Sequence, residues 1–175
     1  AYESTACRDC AGAVMTYEAT RDAIKARLQT VPNIGVVQDY RRGIKAFDDF
    51  KTTYMATIGS AQEIRAWSIA WESGGYEPDA WTGTGGMRMS GEHVYVVRGY
   101  MSQRDDDATD KTFSALIRQV MRALATCMAN ATLRQSHVPV NLRSNDFLMF
   151  DVQKMGTALI HACEIEVRVM HEEIV

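Results

Sequence analysis

The sequence lacks several things that would give a function away. No apolar run approaches the roughly 18 residues that a bilayer-crossing helix needs. The stretch AGAVM near the start is too short for a secretory leader, and no basic segment precedes it. A chain beginning at Ala1 fits an initiator Met removed in a cytoplasm. The expectation is a protein made and kept inside a cell, with its cysteines reduced. A basic excess is missing too. The net charge of −3 argues against a protein that coats nucleic acid. There is no internal repeat and no low-complexity tract. Nor is there a GxSxG, an HExxH or a cysteine beside a clear His-Asp pair, so no catalytic constellation stands out.

What is present is ordinary globular material. The 175 residues are 46% hydrophobic and 23% charged, enough to bury one real core. Residues 1–15 are small and weakly patterned and read as an arm, leaving 16–175 as a single domain. Tyr17, Thr20, Ile24, Leu28 and Val31 recur at helical spacing, and Pro32 ends that helix. VVQDYRRG (36–43) reads as a short strand, and 44–60 fits helix or strand. EIRAWSIAW (63–71) reads as a strand with Trp67, Ile69 and Trp71 on one face. HVYVVRGYM (93–101) is apolar on both faces, as a central strand is. RDDDATDKTF leads into a helix whose stripe is Phe113, Leu116, Ile117, Val120, Met121, Leu124 and Met128, with Asp105–Asp107 as caps. DFLMFDVQ (146–153) and 157–173 are the last strands. The order implies an α+β domain: a single, largely antiparallel or mixed sheet with two main helices packed on one face.

Asp105–Asp107 could bind a divalent cation, but the expected role is a solvated helix cap; the other hint of metal chemistry comes from cysteine and histidine. CRDC (7–10) is half of a zinc ligand set, and no second close pair completes it. HACEIEVRV (161–169) holds His161 and Cys163. Strand alternation puts both on an apolar row with Leu159, Ile165, Val167 and Val169, leaving Glu164, Glu166 and Arg168 on the other face. Packed roles are expected for His161, Cys163 and Cys127, with no metal and no cofactor. A Cys/His metal protein or enzyme using Cys7, Cys10, His161 and Cys163 is the alternative of another class.

The segment SGGYEPDAWTGTGGMRMSGE (73–92) holds six glycines and one proline and reads as a long mobile loop. TGTGG is not a phosphate loop, since a strand follows it and no Lys-Ser/Thr pair does. Tyr76, Trp81, Met87, Arg88 and Met89 suit contact with a partner, and a monomeric binding module using this loop is a further alternative. Charge is uneven as well. Residues 21–51 carry seven Lys/Arg against four Asp, and the end from Glu164 carries four Glu against Arg168. Arg41, Arg42 and Lys45 on one side, and Glu164, Glu166 and Arg168 on the other, are candidates for pairing between copies.

Taken whole, the layout resembles the tail terminator (tail completion) proteins of long-tailed bacteriophages. The resemblance covers about residues 16–170. It rests on the opening helix and turn RDAIKARLQTVPNIG, the strand EHVYVVRGYMSQ, the acidic lead and helix DDDATDKTFSALIRQVMRAL, and the closing strand GTALIHACEIEVRV. The arm with CRDC and the length of 73–92 depart from that layout. The resemblance implies a structural virion protein without enzymatic activity, assembled in the host cytoplasm and located at the tail or neck. It implies a homo-oligomeric ring, typically a hexamer, that caps the tail tube, stops its polymerisation and meets the neck or stopper protein. DNA passes through the lumen of such a ring without specific binding, and no membrane is involved. Another head-tail connector, a stopper or head-completion protein, is the neighbouring alternative.

Overall fold

The computed structural model describes residues 17–40, 47–81, 83, 85–104, 108–125, 141–155 and 158–174. Their elements are α1 (Tyr17–Gln29), β1 (Val36–Gln38), α2 (Phe47–Tyr54), β2 (Met55–Ile58), β3 (Ala61–Gly74), β4 (Glu77–Trp81), β5 (Met87–Ser102), α3 (Thr109–Ala125), β6 (Asn141–Met155) and β7 (Ala158–Ile174). The fold is α+β around one mixed sheet. Its order is β1-β3-β5-β7-β6, with β2 running along β3 and β4 along β5. Among the described strands, β1 and β3 pair in parallel and the other pairs are antiparallel.

α1 and α3 form where the apolar spacing calls for them. In α1, Thr20, Ile24 and Leu28 are buried, and Val31 follows them into the core. The helix closes with Val31 N–H donating to Leu28 O at 3.0 Å, and Asn33 turns the chain at φ 56°. α3 buries Phe113, Leu116, Ile117, Val120 and Leu124. The expected caps Asp105–Asp107 lie outside the described residues. Thr109, the first residue of the helix, is tied to the preceding chain, its hydroxyl accepting from Arg104 N–H at 2.9 Å.

Two apolar clusters hold the layers. The larger joins Ile24 and Leu28 of α1 and the stripe of α3 to Trp67, Ile69, Tyr95, Val97, Cys163, Ile165, Val167 and Val169. The smaller joins Phe50 and Tyr54 of α2 to Ile64, Ala66 and Ile160. Side chains alternate along a strand, so the two clusters draw on opposite faces of the sheet. The strand HVYVVRGYM is central as expected, lying in β5 between β3 and β7.

Two segments differ from their sequence reading. Residues 44–60 contain both a helix and a strand, α2 passing directly into β2. The stretch 73–92 is not an irregular loop: β3, β4 and β5 run through most of it. Two of its glycines, Gly74 and Gly91, lie in paired strands. At Gly91 a Cβ would come within 1.8 Å of the Gly75 carbonyl oxygen, so only glycine lets the chain cross β5 so closely. Pro78 sits in β4, which pairs with β5 alone, and an edge strand tolerates a residue without N–H.

Candidate assembly surfaces

The face of β5 and β7 turned away from α1 and α3 carries a ladder of charge. Arg98 pairs directly across with Glu164, Val96 with Glu166, and Val94 with Arg168. The register brings opposite charges together. Arg98 Nε donates to Glu164 Oε1 at 2.5 Å, and Arg168 Nη1 donates to Glu92 Oε1 at 3.0 Å. Arg168 also pairs with Glu166. Glu72 joins from β3, its carboxylate 3.9 Å from Arg98 Nη2. Alternation along β3 puts Glu72 on the same face as Ser68 and Ala70, the partners of Arg98 and Val96, and the register shifts at Glu72, between Trp71 and Ser73. Burial opposes the charge on Arg98, and the hydrogen bond and charge of Glu164 outweigh it, raising the pKa of the guanidinium. The bonds from Glu92 and Glu166 raise that of Arg168 likewise.

Of the residues singled out as ring-interface candidates, Glu164, Glu166 and Arg168 therefore share one surface, already paired within the chain. Arg41, Arg42 and Lys45 lie outside the described residues. Arg98, Glu72 and Glu92 belong to the same surface and were not singled out from sequence. Arg98 is hidden in an otherwise apolar strand, and the only signal for it is its parity with Val94 and Val96. Glu72 lies opposite the row of Trp67, Ile69 and Trp71, and alternation alone carries it to the face of Arg98.

A second surface follows the partner-contact candidates. β4 and β5 pair Trp81 with Met87 and Pro78 with Met89. Trp81 is 75% exposed. Arg88 is held by Asp79 at 2.8 Å. Tyr76 is only half-buried and places its ring 5.0 Å from that of His93. Trp71 lies against Tyr17, ring centroids 5.9 Å apart, and stays 45% exposed. Beside this ribbon a cavity of about 480 Å³ is lined by Tyr76, Glu77, Glu92 and Met170 among others.

The Cys/His motif takes another form. Cys7, Cys10 and Cys127 lie outside the described residues. His161 and Cys163 are buried, as alternation requires. His161 Nε2 meets the Thr109 hydroxyl at 3.0 Å, and its ring stacks on Phe113. Burial pushes the Cys163 thiol up to about 12, which opposes the thiolate that a metal or a nucleophilic role needs. Among the described residues no three His, Cys, Asp or Glu side chains gather as metal ligands would. No described helix is long and apolar enough to cross a membrane.

On the opposite side of the sheet, α3 exposes a row of cations. Lys111, Arg118 and Arg122 are exposed on α3, whose sequence contains Asp110 as its one carboxylate. Next to Lys111 a cavity of about 370 Å³ is lined by Arg65, Asn33, Gln119 and neighbours. Arg65 is 7% exposed, donates to Asn33 O at 3.1 Å and pairs with Glu63 at 2.6 Å. No protein-family model matches the chain, and no curated protein matches it.

Proposed function

We propose that the protein is a tail terminator of a long-tailed bacteriophage: a structural subunit that forms a ring, caps the tail tube, stops its growth and joins it to the neck. The observation that carries the reading is the ribbon of β3, β4 and β5, with Trp81 75% exposed at the end of β4. Exposed aromatics of this kind serve recognition of another protein. The element order, an opening helix, a central strand, a long helix and a closing strand, agrees with the layout of that family. The charged face of β5 and β7 suits an assembly part, since fixed charges favour one register of association over others. On this reading the protein acts in the virion, at the junction of tail and neck.

The test is electron microscopy of the purified full chain, alone and with tail tubes. Rings that seat on tube ends and hold tube length constant are the expected result. A native mass of one chain at working concentration, with tubes growing unchecked, would overturn the reading. Rings that bind a neck complex and ignore tube ends would move the protein to the stopper class.

A further inference from the structure

A closed ring of identical subunits uses a heterologous interface, in which one surface of the chain meets a different surface of the next copy. Two surfaces of this molecule are suited to each other. On the sheet face away from α1 and α3, four carboxylates, Glu72, Glu92, Glu164 and Glu166, stand against two guanidiniums, Arg98 and Arg168. Glu77 adds to them at the adjoining cavity. This surface remains acidic after its internal pairing. On the far side of the sheet, α3 carries Lys111, Arg118 and Arg122 and, in its own sequence, the one carboxylate Asp110, an excess of the opposite sign.

The dimensions agree as well. From Lys111 to Arg122 the helix rises by roughly 17 Å. From the level of Glu164 to that of Glu92 the strands extend roughly 20 Å. The helix stripe cannot meet this surface within its own chain, because α3 packs through Phe113, Leu116 and Val120 on the opposite face. Only a second molecule can bring the two together.

We infer that neighbouring copies associate head to tail, the exposed cations of α3 from one copy docking on the acidic face of β5 and β7 of the next. The inference rests on the ring reading above and names its interface. It assigns the basic half to α3. The acidic half is the β7 ladder, enlarged by Glu72, Glu77 and Glu92.

The test uses charge reversal in the full chain, read by native mass and by electron microscopy. Arg118→Glu/Arg122→Glu is made in one variant and Glu72→Arg/Glu77→Arg in a second. All four positions are exposed, and circular dichroism checks that each variant folds. Each pair is expected to raise the concentration for half-assembly about tenfold or more. A chain carrying all four reversals is expected to reassemble near the original concentration. Should a reversal prevent folding, the neutral pairs Arg118→Gln/Arg122→Gln and Glu72→Gln/Glu77→Gln read the same loss. Rings that persist unchanged in both pairs would overturn this interface and leave the ring reading standing. Loss in both pairs without recovery in the four-fold chain would overturn it too. An original chain that stays a single copy would bring down the ring reading along with it.

Discussion

Gly99 marks how tightly the centre of the sheet is filled. It pairs with Trp67 on one side and Cys163 on the other. A Cβ there would lie 2.6 Å from Trp67 Cζ3 and 2.8 Å from Cys163 Sγ, closer than such atoms approach. Gly99→Ala is therefore expected to cost about 1–3 kcal/mol through overpacking, read as a lower urea midpoint. An unchanged midpoint would mean that the indole moves freely. His93 makes a second, pH-dependent prediction. It is 6% exposed, and burial lowers its pKa below the ordinary 6.5. As pH falls, the unfolded chain takes up this proton first. The stability that neutral His93 contributes is present above pH 6.5 and declines as pH drops below it. The urea midpoint should fall between about pH 7.5 and about pH 5.5, and His93→Gln should make that fall shallower. Equal falls in both proteins would assign the effect elsewhere. Neither behaviour was legible in the sequence. Gly99 reads as one more residue of an apolar strand, and His93 as the start of it. By contrast, the alternation in HACEIEVRV reads the buried row from Cys163 to Val169, where every second residue is buried; Ile160 to Cys163 are buried on both faces, and Leu159 of the expected row is exposed.

At the scale of elements, the helices show what local pattern can and cannot decide. α1 and α3 were readable because their apolar stripes persist for several turns against a broad sheet. α2 has only eight residues and runs straight into β2. Its helical state rests on distant contacts, Phe50 and Tyr54 lying within 5.6 Å of Tyr100 between ring centroids. No window of sequence contains that information. The ribbon of β3, β4 and β5 was hidden for a different reason. Glycine and proline usually signal loops, but here Gly91 permits a close crossing and Pro78 occupies an edge. The ribbon is also separable from the core. Gly74 and His93 are direct cross-strand partners. Replacing residues 75–92 by Asn-Gly would close β3 and β5 with a two-residue hairpin turn. β7 would keep its pairing with β6 as far as Met170. This variant is expected to fold and to lose no more than about 2 kcal/mol, since surface segments contribute little to global stability. It is also expected to join poorly to tail or neck particles in a binding assay. Unfolding of the variant would show instead that the ribbon is part of the core.

At the scale of the whole molecule, the sheet separates two kinds of surface, and that separation has a measurable consequence in salt. One side carries the cations of α3, the other the surplus carboxylates beside β5 and β7. The net charge of −3 is too small to report this division, so composition alone could not reveal it. Copies that meet through these surfaces should separate as ionic strength rises, because the screening length shrinks from about 10 Å at 0.1 M salt to about 3 Å at 1 M. The native mass is then expected to decline toward that of one chain across this range, while circular dichroism stays constant. An interface made mainly through Trp81, Trp71 and the methionines of the ribbon predicts the reverse, since burial of apolar surface is not weakened by screening. Assembly that holds at 1 M sodium chloride would thus shift the contact between copies from the charged faces to the aromatic ribbon. Assembly that fails there and returns on dilution of the salt would place it on the charges, as the distribution of side chains across the sheet requires.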